Sequence, residues 1–184
     1  MKIYFDTEFT GLHQNTTLIS IGMVSEDGRT FYAEFEDYDR FQVDTWIEQN
    51  VIKNLCLSKE CDYQRVYTDR DSLHVRLWSV KDDIAYHLAI WLEQFDQIEM
   101  WSDCLAYDWI LFRELLSNTG YIWNRIYYIP FDISTLFKFN GIDPDINREE
   151  FAEIEGAKHN ALHDAKVIKA CWKKLTMPVA KMQL

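Results

Sequence analysis

Three short stretches near the start of the chain crowd apolar, β-branched and aromatic residues together: Lys2 to Glu8, Thr17 to Val24 and Arg29 to Phe35. Such residues fit a pleated, buried surface, so the pattern predicts three strands. Asp27-Gly28 lies between the second and third and predicts a two-residue type I′ hairpin turn, which requires positive φ at both positions. The chain therefore opens as an antiparallel meander. After it the period lengthens. Asp44 is placed to cap a short helix reaching about Asn54. Ser79 with Asp82 reads as a variant capping box for a helix with Ile84, Leu88, Trp91, Leu92 and Phe95 on one face.

Ile98 to Ser102 predicts a short strand and Tyr107 to Ser117 a helix, with a further strand at Tyr127 to Ile129. Asp132 caps a helix to Asn140, closed by Gly141, and a short helix covers Arg148 to Ile154. The final helix runs from about Ala161 to Leu175, with Pro178 as its stop. The segment from Leu55 to Trp78 is polar and charged and reads as a long loop or small lobe. A meander followed by alternating helix and strand predicts an α/β fold, a mixed sheet flanked by helices. At 184 residues the chain suits one domain, spanning 1–184, with a sizeable core.

Four acids interrupt this apolar pattern. Asp6 and Glu8 are two apart in a buried strand, so both point to one face. Asp108 shares a helical face with Leu111, Phe112 and Leu115, and Asp164 shares one with Ile168, Cys171 and Leu175. Singly, Asp108 and Asp164 fit helix starts, where an anion meets the positive end of the dipole. The Asp6/Glu8 pair is harder to explain structurally, because neighbouring like charges raise each other's pKa unless a cation intervenes. Ionised carboxylates are costly to bury unless paired or bound to metal. With His159 five positions before Asp164, the set points to a divalent-cation site.

Composition narrows the function classes. Hydrophobic residues make up 48%, and no apolar run approaches the ~20 residues that span a bilayer. No signal-peptide pattern is found at the N-terminus, so no membrane partner and a cytoplasmic location are expected. The formal net charge of −11 argues against tight, sequence-independent binding to long duplexes. It allows an enzyme that grips only a chain end, since bound cations reverse the local field. Lys158, Lys166, Lys169, Lys173 and Lys174 read as a solvated face. Of the four Cys, Cys104 and Cys171 read as small buried residues and Cys56 and Cys61 as semi-exposed; none has zinc spacing.

Together the motifs resemble the DEDDh branch of the 3′-to-5′ exonucleases, whose fold is ribonuclease H-like. Phe5-Asp6-Thr7-Glu8-Phe9-Thr10-Gly11-Leu12 matches the first motif, Ala106-Tyr107-Asp108-Trp109 the second, and His159-Asn160-Ala161-Leu162-His163-Asp164-Ala165 the third. Leu18-Ile19-Ser20-Ile21-Gly22-Met23-Val24 followed by Glu26-Asp27-Gly28 further resembles a small bacterial and phage group of exoribonucleases. The resemblance implies two Mg²⁺ or Mn²⁺ ions per active site, with Asp6 bridging them, Glu8 and Asp164 completing the first, and Asp108 acting through water. His159 would be the general base, and nucleoside 5′-monophosphates the products.

By the same resemblance Thr10 and Leu12 would contact the terminal sugar and wedge the last base, with Thr7 beside them. Tyr107 is placed to stack on a base, whereas Trp109 reads as core. One departure is Cys104, where many relatives carry Asn. His163, four residues after His159, lacks the Glu of an HExxH zinc motif and reads as a polar face residue. His13, His74 and His87 lack partners in the sequence. The implied partners are 3′ ends of single-stranded nucleic acid, RNA over DNA. A homodimer is also implied, since small relatives are often dimeric. A 3′-to-5′ exodeoxyribonuclease, a non-catalytic nucleic-acid-binding module of the same fold, and an endonuclease or strand transferase remain alternatives.

Overall fold

The computed structural model describes residues 1–60, 65–68 and 73–177. Cys61 and Pro178 therefore lie outside the described residues. Among the described residues seven strands form one mixed sheet: β1 (Lys2–Phe9), β2 (Leu18–Ser25), β3 (Thr30–Phe35), β4 (Arg65–Thr68), β5 (His74–Ser79), β6 (Glu99–Ser102) and β7 (Phe131–Asp132). Their spatial order is β4-β5-β3-β2-β1-β6-β7. Antiparallel pairing joins β1, β2 and β3, as the meander predicts; β5 is parallel to β3 and antiparallel to β4, and β6 and β7 enter parallel to their neighbours. The helices are α1 (Thr45–Asn50), α2 (Leu57–Glu60), α3 (Lys81–Leu92), α4 (Leu105–Leu115), α5 (Ile133–Phe139), α6 (Arg148–Ala152) and α7 (Ala161–Thr176). This is an α/β, ribonuclease H-like arrangement.

Strand alternation distributes β1 between two cores. Ile3 and Phe5 pack with Leu88, Leu92, Leu111 and Phe112 beneath α3 and α4. Tyr4 faces the other way and joins Ile133, Phe137, Val167, Ile168 and Cys171 beneath α5 and α7. All eight residues of β2 are buried, as expected for a strand covered on both faces.

Several local expectations change. The turn after β2 is a three-residue loop: Gly28 N donates to Ser25 O at 3.0 Å and Ser25 N to Arg29 O at 2.9 Å. Gly28 has φ +102° but Asp27 is not in the left-handed region, so this is not a type I′ turn. Ser79 ends β5 instead of capping α3. The cap residue of α3 is Val80, and Asp37 accepts from Lys81 N at 3.1 Å. No strand forms at Tyr127 to Ile129; Ile126 makes an isolated bridge to Ile98, and β7 begins at Phe131. The stretch read as a loop from Leu55 to Trp78 contains α2, β4 and most of β5. β5 runs His-Val-Arg-Leu-Trp-Ser with Val75 and Leu77 buried, an alternation that charged neighbours disguised.

Asp132 caps α5, accepting from Thr135 N at 2.8 Å, and Gly141 follows with φ +73°. Asp44 caps α1, accepting from Ile47 N at 2.8 Å. Cys171 is buried, but Cys104 is exposed at the start of α4. A residue at a helix cap lies outside the periodic face by which the interior was judged.

Candidate active site

β1 and β6 pair only through Lys2–Tyr4 and Glu99–Trp101. Beyond Tyr4 the two strands part, and the chain needs another partner for the exposed edge of β1. Asp108 provides it from the α4 side: Oδ1 accepts from Thr7 N at 3.2 Å and from the Thr7 hydroxyl at 2.5 Å, while Oδ2 accepts from the Ser102 hydroxyl. Asp6 and Glu8 share Tyr4's face, the one that α7 covers. Asp164 approaches there from the first turn of α7. The acids at positions 108 and 164 thus reach the end of β1 from opposite faces of the sheet.

His159 lies just before α7 with φ +59°. Asn54 Nδ2 donates to Lys158 O at 2.7 Å, and Asn160 Oδ1 accepts from His163 N at 3.2 Å, fixing both sides of that unusual backbone. His159 Nδ1 is 3.8 Å from Glu8 Oε1, and its ring meets Trp46 edge-on with centroids 5.1 Å apart. The ligand atoms of Glu8, His159 and Asp164 all lie within 4.8 Å of one another, as do those of Asp6, Asp103 and Asp108. All of these but the fully buried Asp108 line a cleft of about 810 Å³ with Leu12, Trp46, Arg148 and Glu149.

Burial and mutual repulsion dominate the electrostatics. Burial, then the charges of Asp108, Glu8, Asp164 and Asp103, hold the Asp6 carboxyl well above the carboxylate range. Burial, then Asp164, push Glu8 up to about 8. Asp108 is pushed up to about 7 by burial, against the hydrogen bonds from Ser102 and Thr7. Burial, then Asp103 and Glu149, raise Asp164 to about 7. His159 is shifted down, by burial first and then by Lys158, so its imidazole stays neutral and able to accept a proton near neutral pH.

A comparison within the molecule shows that this strain is local. Glu34 is fully buried too, yet it accepts from the Tyr32 hydroxyl at 2.8 Å and from Cys56 N, Leu57 N and Ser58 N at 2.7, 3.0 and 2.9 Å. Asp6 Oδ2 is buried with no hydrogen-bond partner. A satisfied carboxylate stabilises a fold; an orphaned one needs a ligand. Hard oxygen donors suit Mg²⁺ or Mn²⁺, so the residues present fit such an ion.

Other expected contacts divide. Leu12 projects from the cleft rim, 74% exposed. Thr10 is buried away from the cleft, its hydroxyl donating to Gln42 Oε1 at 2.5 Å and accepting from Thr17 N at 2.9 Å. The Thr7 hydroxyl is committed to Asp108. Tyr107 stacks on Phe9 with centroids 5.2 Å apart, and Trp109 packs with Phe112 and Trp123. His163 is largely enclosed, with Nε2 3.7 Å from Glu149 Oε1, and Gly156 leaves room for its ring. His74 and His87 have partners after all: the Thr30 hydroxyl at 2.9 Å and Asp83 at 3.7 Å.

Four residues that line the cleft are not among those the sequence motifs point to. Asp103, Arg148 and Glu149 carry no motif, and Trp46 looked like any residue of a short helix. Their only advance signal is position at element ends that converge on the sheet's crevice.

This geometry agrees with what comparison of the chain with known proteins finds. Residues 1–176 match the model of the 3′-5′ exoribonuclease Rv2179c-like domain. The chain belongs to that family. Its curated relatives include 3′-5′ exoribonuclease Rv2179c of Mycobacterium tuberculosis strain H37Rv and 3′-5′ exoribonuclease MT2234.1 of strain CDC 1551. Each is 29% identical over 117 residues, 62% of this chain and 61% of the relative. The match thus spans about three-fifths of their length. Membership in the Rv2179c-like family agrees with the DEDDh resemblance drawn from the three motifs. No described helix is long and apolar enough to cross a membrane.

Proposed function

We propose that the chain is a metal-dependent 3′-to-5′ exoribonuclease that shortens single-stranded RNA from its free 3′ end, releasing nucleoside 5′-monophosphates. The carrying observation is the convergence of Asp6, Glu8, Asp108 and Asp164 beside His159, with Asp6 Oδ2 buried and unpartnered. Family membership and the relatives' names support RNA as the substrate class. Asp6, Glu8 and Asp164 would hold one divalent cation, and Asp6 with Asp108, through water, a second. When bound, such a pair stabilises the attacking and leaving oxygens of an in-line displacement. His159 would accept the proton of the attacking water, and burial, by lowering its pKa, keeps the imidazole neutral and able to do so.

Leu12 and Trp46, the latter 54% exposed, are apolar residues that line the cleft. Stacking of a base on such a side chain contributes ~1–3 kcal/mol. The strong negative charge favours a grip on one chain end over a long duplex. In this reading residues 1–184 act as one catalytic domain in the cytoplasm, able to form a homodimer and with no membrane partner.

The direct test is a product ladder from 3′- and 5′-labelled RNA and DNA of matched sequence, with Mg²⁺ or Mn²⁺. Mononucleotide release from a 3′-hydroxyl end of RNA is expected. Faster trimming of DNA would shift the assignment to an exodeoxyribonuclease, and no turnover with either ion to a binding module.

A further inference from the structure

We infer that Asp103 is a fifth carboxylate of the metal centre, completing the cation site of Asp6 and Asp108, with Arg148 as the positioning residue that holds it there. The inference rests on the metal-dependent reading above. Asp103 follows β6 directly, where that strand leaves β1. Its ligand oxygen lies within 4.8 Å of those of both Asp6 and Asp108. Asp6 is only 8% exposed, and its Oδ2 is buried with no hydrogen-bond partner. Asp108 has little capacity left, since Thr7 and Ser102 already occupy its two oxygens. A cation there needs another oxygen donor from the chain, and Asp103 is the acid in reach.

Arg148 explains how a further acid is tolerated beside four others. Its Nε is 3.1 Å from Asp103 Oδ2, an ion pair out of line for a hydrogen bond. The guanidinium is itself anchored: Nη2 donates to the Ser134 hydroxyl at 2.7 Å, and the group lies over the Phe137 ring, 5.9 Å from its centroid. A charge fixed on α5 and α6 therefore holds one oxygen of Asp103 and leaves the other for the cleft. Partners that orient a ligand in this way typically alter metal affinity ~10–100-fold when removed.

The test counts Mn²⁺ bound to the whole chain, by electron paramagnetic resonance of the free ion, beside thermal melts without metal. The wild type and His159→Ala are expected to bind two ions. Asp103→Asn should bind one of them ~10–100-fold more weakly while melting close to the wild type. The double variant Asp103→Asn/Arg148→Gln leaves no unpaired guanidinium and decides the matter should the single variant fail to fold. If Asp103 only neutralises Arg148, the double variant recovers two ions at wild-type affinity, which overturns the assignment. A folded Asp103→Asn that binds two ions unchanged also overturns it, and leaves the exonuclease reading standing. A wild type that binds no Mn²⁺ overturns both.

Discussion

Gly22 stands opposite Asp6 in the β1–β2 ladder, and the start of α7 rests in the space that a side chain there would fill. A Cβ at Gly22 would lie 2.2 Å from Ala161 C and Leu162 N. Backbone atoms cannot give way as a flexible side chain can. The close approach brings His159 and Asp164 down onto the face of β1 that carries Asp6 and Glu8.

Gly22→Ala should therefore harm site and fold together. Overpacking costs roughly 1–3 kcal/mol, and displacement of α7 separates Asp164 from Glu8. Lower thermal stability with a disproportionate loss of nuclease rate is expected. A variant with wild-type rate and melting would show that α7 need not sit so close.

Directionality gives a second test. With Leu12 at the cleft rim and a site suited to chain ends, stepwise shortening from a free 3′-hydroxyl is expected. A 3′-phosphorylated or circular RNA should be protected. Efficient cutting of a circle would place the chain among endonucleases.

Ligand and base separate by stability as well as rate. Mn²⁺ should raise the melting temperature of the wild type, because a ligand of the native state alone stabilises it. Asp164→Asn removes one like charge. It should melt no lower than the wild type without metal, lose most turnover and show a smaller Mn²⁺-induced rise. His159→Ala should lose ~10²–10⁴-fold in rate yet keep most of that rise. The reverse pattern in the melts would exchange the two roles.

The pH dependence of the metal-free protein follows from the raised carboxyls. Burial and repulsion put Glu8 at about 8 and Asp108 and Asp164 at about 7, against ordinary values near 4 in the unfolded chain. Between these limits the native state binds more protons than the unfolded state, so stability falls as pH rises. The contribution is fully present below the unfolded values and lost as pH passes 7 to 8. Metal-free melting temperature should therefore decline from pH 5.5 to 8.5, and Mn²⁺ should flatten the decline, since binding expels those protons. A metal-free profile flat over this range would mean that the cleft acids ionise as if solvated.

The architecture was readable where one physical signal dominated. Buried strands, capped helices and the two-residue offset of Asp6 and Glu8 follow from period and cap chemistry, and α7 was placed to within a residue at its end. Ser79 misled because a serine three before an acid fits a strand end as well as a cap; Asp37, distant in sequence, supplied the bond to Lys81 instead. Thr10 matches the family motif, and what the sequence does not show is that its hydroxyl bonds to Gln42 and Thr17. Asp103 could not be found from the pattern, because a lone acid after a strand gains meaning only when β6 is seen to part from β1. Pairwise distance in space is the information that a linear pattern lacks.

The acids that gather at the end of β1 come from β1 itself, the end of β6, α4 and α7, so positions 6 and 164 must meet before any of the proposed chemistry can occur. No shorter stretch of chain gathers the set. A chain that ends before α7 lacks the last of these acids, so in the proposed reading the site becomes competent only once α7 has docked over Gly22.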